Sequence, residues 1–137
     1  MFNNVTNKDD ARRQAIIKEC GGTIKDGWSN RDGYDILYYD GLTAAGLDTL
    51  IKEGFADEDE QQNSCPCIRD INKFIHEHPN FTAHGYIITP RRADYRVSIE
   101  GVDGRECNST DVEDFTQMFR GADDFTIFGC HCYCWFD

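Results

Sequence analysis

The sequence predicts an α+β domain, in which an antiparallel or mixed sheet of about four strands carries about four helices mainly on one face. Apolar and polar side chains alternate from Tyr95 to Glu100, which is typical of a strand with one buried and one solvated face. Another strand is expected at residues 83–89, and a hairpin loop at 90–94 joins the two. Over residues 67–75 the apolar side chains instead recur at helical spacing.

Helix signals occur at four places along the chain. Thr43 can cap a helix, and Gly54 followed by Phe55 is typical of a Schellman stop with its apolar contact. Thr110 and Glu113 match a capping box. The expected helices cover residues 8–20, residues 44–53, a segment that starts at Ser64 and ends at Pro79, and a segment that runs from Thr110 to Gly121.

The remaining strand signals lie near the two ends of the chain. Tyr34–Tyr39 is expected to form a strand, and Asp40-Gly41 after it is a turn signal. Residues 125–136 are expected to be extended and interrupted at Gly129. The chain, residues 1–137, fits a single domain, in which the expected core residues include Phe74, Val97, Ile99, Phe115 and Phe119.

The charge balance is strongly acidic, with 25 acidic against 14 basic residues, or −11 net. Such a field repels nucleic acid and anionic membranes and attracts basic surfaces, including proteins that themselves bind nucleic acid. The sequence shows no targeting segment at its start and no apolar stretch of membrane-spanning length. We therefore expect a cytoplasmic protein that binds a basic protein partner and makes no direct contact with nucleic acid or membrane.

The acidic residues are concentrated in two segments. Residues 57–60 are four consecutive carboxylates, and residues 103–124 hold seven acidic residues against two arginines. Such arrays can imitate a phosphate row toward a protein that binds nucleic acid, although a solvated loop and an ordinary helix start give the same pattern. The expected partner-binding residues are Asp57, Glu58, Asp59, Glu60, Asp111, Glu113, Asp114, Asp123 and Asp124.

A small basic island in the acidic chain indicates an alternative site. It consists of His84 in the expected hairpin together with Arg91, Arg92 and Arg96. Arginine pairs bind phosphate or carboxylate bidentately, and a histidine with an orienting partner can move protons. This alternative is a small-ligand- or phosphate-binding protein or an enzyme. Salt bridges to neighbouring acidic residues and a structural histidine would account for the same residues.

Cysteine is frequent, with seven residues, of which most lie in the Cys-Pro-Cys of residues 65–67 and the Cys-His-Cys-Tyr-Cys of residues 130–134. Cys and His bind zinc, so a Cys-based metal-binding structural domain is a third hypothesis. In a strand, however, alternate thiols point to one face about 7 Å apart, and free Cys commonly packs in a core. We therefore expect no bound metal, no cofactor and no obligatory disulfide.

Three short segments carry a resemblance to known proteins. His84-Gly85-Tyr86, residues 94–101 and the ending at residues 134–137 resemble small uncharacterised acidic proteins of gut Firmicutes and their mobile elements, over residues 42–137. The resemblance implies a compact accessory protein and brings no catalytic residues with it. Small acidic proteins of such elements often look like anti-defence factors, including anti-CRISPR and antirestriction proteins.

Binding is favoured over catalysis, because the sequence has no phosphate-binding loop, dinucleotide fingerprint, zinc-protease motif or serine-hydrolase motif. The leading hypothesis is a non-enzymatic acidic protein-binding factor, such as a nucleic-acid-mimicking inhibitor of a host defence protein. The runner-up is the small-ligand site with His84, and the third is the metal-binding domain.

Overall fold

Four helices and a six-stranded antiparallel sheet make up the part of the chain that the computed structural model describes, residues 5–26 and 35–137. This is the expected α+β class. None of the helices in these ranges is long and apolar enough to cross a membrane. The elements follow the chain as α1 (Asp10–Glu19), β1 (Thr23–Asp26), β2 (Ile36–Leu42), α2 (Ala44–Lys52), α3 (Ile68–Glu77), β3 (Phe81–Ile88), β4 (Val97–Gly104), α4 (Ser109–Phe119), β5 (Asp124–Phe128) and β6 (His131–Trp135).

The sheet has the strand order β1-β2-β3-β4-β6-β5, and every neighbouring pair is antiparallel. The prediction of about four strands was therefore too low. β1 has only four residues, too few to show alternation. The expected extended segment 125–136 is a hairpin, because Gly129 adopts a φ of 59° and lets the chain reverse. Tyr34, at the start of one expected strand, lies outside the described residues.

The ends of α2 follow the predicted capping pattern. Gly54 has a φ of 84°, and its N–H donates to the carbonyl of Ile51 at 3.1 Å. The N–H of Phe55 donates to the carbonyl of Leu50 at 2.9 Å, which completes the Schellman motif. Phe55 is fully buried and supplies the apolar contact. At the other end, the Thr43 side chain accepts a backbone N–H at 3.2 Å.

The start of α3 differs from the prediction. The helix begins at Ile68 with Cys67 at the N-cap, and Ser64 lies outside it. The backbone N–H of Ile68 donates to the carbonyl of Glu60 at 3.0 Å, so the segment before the helix is folded back against its first turn.

The start of α4 lies earlier than the prediction placed it. The capping box is formed by Asn108 and Asp111 rather than by Thr110 and Glu113. The Asn108 side chain accepts the N–H of Asp111 at 2.8 Å, and the Asp111 carboxylate accepts the N–H of Asn108 at 3.0 Å. This reciprocal pair satisfies two backbone donors and fixes the helix start.

The dipeptide Asp40-Gly41 does not form the predicted turn. Both residues lie within β2, where the pairing with β3 shifts register between Tyr39 and Leu42. Gly41 has a φ of 71°, which explains why a turn signal occurs inside a strand.

The hydrophobic core joins the sheet to side chains of all four helices. Phe81 of β3 packs against Phe74 of α3 and Phe115 of α4, with ring centroids 5.0 and 5.6 Å apart. Phe115 also stacks on Phe125 of β5 at 5.0 Å. The predicted core residues are all buried, namely Phe74, Val97, Ile99, Phe115 and Phe119.

We predict that Phe115→Ala lowers the free energy of unfolding by about 3–5 kcal/mol, because the fully buried ring contacts both the sheet and its own helix. Met118→Ala on the same helix is the control, since Met118 is partly exposed and its loss should change stability by about 0.5 kcal/mol or less. Urea denaturation measures both values. Equal losses for the two variants would contradict this assignment of the helix face.

Candidate ligand-binding groove

A groove of about 640 Å³ lies on the face of the sheet that carries Tyr38, His84, Tyr133 and Trp135. We call this face the groove face. Side chains from β1, β2, β3, β4 and β6 line the groove, so it crosses five of the six strands. Its carboxylates are Asp40, Glu100 and Asp103.

A bulge in β4 brings Glu100 to this groove. His84 of β3 faces Gly101, whereas the next residue, Gly85, faces Ile99. Glu100 is therefore an extra residue without a partner on β3, and a bulge of this kind redirects a side chain out of the regular alternation.

Two glycines make the bulge sterically feasible. A Cβ atom on Gly85 would collide with the carbonyl oxygen of Ser98, and one on Gly101 would collide with the carbonyl oxygen of Cys134. The strands can therefore approach closely only because both positions lack a side chain.

His84 is held in one orientation by two contacts. Its Nε2 lies 2.8 Å from the carbonyl oxygen of Cys134, and because a carbonyl can only accept, Nε2 must carry the proton. Its ring stacks on Tyr133 with centroids 5.1 Å apart and planes 6° apart. Burial lowers the pKa of His84 below 6.5. The neutral ring therefore leaves Nδ1 as a hydrogen-bond acceptor.

The carboxylates of the groove differ in their partners. Asp40 lies 3.9 Å from the ammonium of Lys25, and Asp103 lies 3.1 Å from the guanidinium of Arg105. Both cations are mostly exposed, so these pairs are weak. Glu100 forms no ion pair with any residue in the described ranges.

The environment of Glu100 disfavours its charged form. Burial raises the pKa of this carboxyl to about 7, a nearby indole N–H of Trp135 partly opposes the rise, and the charge of Asp137 adds to it. Perturbed carboxyl groups in clefts are typical of functional sites, although structural networks produce them as well.

The predicted basic site is not assembled. His84 lies in the groove, but Arg91, Arg92 and Arg96 do not line it. Arg96 is mostly buried and lies 3.1 Å from the Glu60 carboxylate. Arg92 pairs with Asp94 at 2.6 Å, and Arg91 pairs with Asp35. The pairs of Arg91 and Arg96 join the β3–β4 connection to Asp35 and Glu60, and the Arg92 pair lies within the connection. Salt bridges are the structural alternative that the sequence left open.

The segment 57–60 does not present four carboxylates to solvent. Asp57 and Glu60, two of the expected partner-binding residues, are both only 7% exposed. Glu60 accepts a hydrogen bond from Ser98 at 2.9 Å and pairs with Arg96. Glu58 is half-buried and Asp59 is exposed, but Asp59 pairs with Arg69 at 2.8 Å.

The acidic residues of the second segment are spread over different elements. Asp111 and Asp114 of α4 flank His78, with nitrogen–oxygen distances of 2.7 and 3.1 Å. Glu113 is exposed on the same helix, and Asp123 and Asp124 are exposed at the start of β5. Asp111, with a side chain only 13% exposed, therefore has a structural role in the capping box and at His78.

The cysteines are free thiols, and their burial partly follows the expectation of a thiol-lined core face. Cys132 and Cys134 are fully buried in the core, whereas Cys130 is exposed next to the turn at Gly129. Within residues 5–26 and 35–137, no group of three or more His, Cys, Asp and Glu side chains is placed to hold a metal ion.

Several residues of the groove escaped the sequence analysis as site candidates, namely Tyr38, Asp40, Tyr133 and Trp135. One signal was present in the sequence: Tyr133 and Trp135 alternate with Cys132 and Cys134. That alternation predicts aromatic rings on the face opposite the buried thiols.

Comparisons of this chain with protein-family models, curated proteins and solved structures found no match. The groove must therefore be interpreted from its own chemistry.

We predict that Glu100→Gln makes the stability of the protein less dependent on pH. In the folded chain Glu100 keeps its proton to about pH 7, whereas the unfolded chain releases it near 4.5. Between these values the folded state binds more protons, so stability falls as the pH rises. As the pH rises from 4.5 to 8, the free energy of unfolding of the variant should therefore increase by about 1–3 kcal/mol relative to that of wild type.

Urea denaturation at several pH values measures this difference. Glu113→Gln, at an exposed position on α4, is the matched control and should follow the wild-type pH profile. A Glu100→Gln profile parallel to that of wild type would show that Glu100 is ionised in the folded protein throughout this range.

Proposed function

We propose that this chain is a non-enzymatic binding protein that receives a basic partner protein on the groove face of its sheet. The observation that carries the proposal is the groove itself, which is lined by four tyrosine and tryptophan residues, by His84 and by three carboxylates. Aromatic rings attract cations through their negative faces, and carboxylates attract them through charge.

The overall charge supports the same kind of partner. A net charge of −11 accelerates the approach of a basic surface and repels nucleic acid. A basic protein that normally binds nucleic acid, such as a host defence protein, fits this chemistry. In that case the chain would act as an inhibitor of the anti-CRISPR or antirestriction kind.

Asp124 extends the proposed surface beyond the groove. It pairs directly with Trp135 across the β5–β6 hairpin, so the two side chains share the groove face. Asp124 is exposed. After burial, its charge is the largest influence that raises the pKa of Tyr133. We therefore assign Asp124 to the partner-binding surface, alongside Asp103.

A small-ligand-binding protein or an enzyme is the second candidate. The specific observation in its favour is that neutral His84 and the protonatable Glu100 line the same groove. Two such groups can act as a base and an acid toward a bound small molecule. Conversion of a small molecule by the purified protein, abolished by Glu100→Gln, would favour this candidate over partner binding.

We predict that Asp124→Lys weakens the complex with the basic partner by about tenfold or more at low salt, because it replaces attraction with repulsion beside the groove. Glu113→Lys makes the same charge change on an exposed residue of α4 and should weaken binding much less. Lys18→Glu on α1 is the reverse-charge control. The partner is first isolated by affinity purification from the native host.

Calorimetry at two salt concentrations then measures each affinity. Binding should weaken as salt rises, since screening limits charge attraction to about 8 Å at physiological ionic strength. A larger effect of Glu113→Lys than of Asp124→Lys would place the partner on α4 instead of the groove face. If the affinity changes neither with salt concentration nor in any of the three variants, the charge serves solubility alone.

A further inference from the structure

Glu100 has no cation to pair with in the described residues, and this observation indicates the chemistry of the ligand. Two glutamates of the sheet region differ in burial, since Glu60 is buried and Glu100 is half-buried. Glu60 pairs with Arg96 and accepts a hydrogen bond from Ser98 through Oε1, while its buried Oε2 has no hydrogen-bond partner among the described residues. The indole N–H of Trp135 lies near Glu100, and no cation of the described residues forms an ion pair with it. A carboxylate withdrawn from water without a cation is costly, so a ligand that supplies one would be strongly favoured.

The other groups near Glu100 suit a cation that carries N–H donors. Tyr133, Trp135 and His84 line the groove together with Glu100, and the neutral ring of His84 keeps a lone pair on Nδ1. No residue in the described ranges forms a hydrogen bond with Nδ1 of His84. The groove thus combines two acceptors with apolar ring surface, which matches a planar guanidinium or an ammonium on an apolar stem.

We propose that the groove binds a single organic cation with N–H donors, a guanidinium or an ammonium group, which pairs with Glu100 and lies against the rings of Tyr133 and Trp135. This inference rests on the proposed function, because the cation would be an arginine or lysine side chain of the basic partner. A free small amine has the same chemistry, and the experiment below separates the two sources.

Binding of such a cation should release a proton from Glu100, because the cation favours the ionised carboxylate. Affinity should therefore rise with pH through about 7. His84 is neutral above pH 6.5, and burial raises the pKa of Tyr133 above 10, so neither accounts for this change. The charged and titratable groups that line the groove with Glu100 or interact with it electrostatically are Lys25, Tyr38, Tyr39, Asp40, Cys65, His84, Asp103, Arg105, Tyr133 and Asp137.

The test is a titration of the whole chain with methylguanidinium, followed by the shifts of amide and indole N–H signals in two-dimensional NMR. Shifts should be confined to the groove, and affinity at pH 8 should be about tenfold higher than at pH 6. Glu100→Gln should lower affinity by about tenfold at pH 8 and should remove the pH dependence. Tetramethylammonium, which has no N–H donor, should bind more weakly than methylguanidinium, and butyrate should not bind.

Shifts outside the groove, or equal affinities of wild type and Glu100→Gln, would overturn the inference. If methylguanidinium does not bind but Asp124→Lys still weakens the partner complex, the inference fails and the proposed function stands. If methylguanidinium binds but neither Asp124→Lys nor Glu100→Gln changes the affinity for the partner, the groove binds free small cations and the proposed function fails.

Discussion

The bulge at Glu100 is the constraint on which the groove depends. The extra residue shifts the pairing of β4 with β3, and the glycines at positions 85 and 101 let the strands close around it. The backbone then holds β6 in place, because the N–H of Phe136 donates to the carbonyl of Glu100 at 2.7 Å. With β6 fixed, Cys134 can accept from His84, and Tyr133 can stack on its ring. One inserted residue therefore positions the histidine, two aromatic rings and a carboxyl.

The rest of the fold packs against the sheet and leaves the groove open. The aromatic cluster of Phe74, Phe81, Phe115 and Phe125 packs helices α3 and α4 against strands β3 and β5. The loop before α3 is joined to β4 and the residue before it, where Glu60 accepts a hydrogen bond from Ser98 and pairs with Arg96. Most acidic groups within the structure are thus matched by cations or backbone donors. Glu100 is half-buried in the groove and has no such cation among the described residues, and the proposed ligand would supply one.

Sequence patterns predicted those parts of the fold that depend on local chemistry. The Schellman end of α2 and the buried positions of β4 follow from glycine placement and period-2 alternation. The groove could not be predicted, because it depends on which strands become neighbours and on a register shift that alternation does not encode. The burial of Asp57 and Glu60 could not be predicted for a similar reason, since Arg96, far away in sequence, pairs with Glu60 inside the fold.

The most direct test of this account is the titration of the Glu100 side-chain carboxyl by carbon-detected NMR, with and without methylguanidinium. The account predicts a pKa of about 7 in the free protein and a fall to about 6 or below when the cation is bound. A carboxyl that titrates near the ordinary value of 4.5 in the free protein, or one that does not respond to the cation, would contradict it.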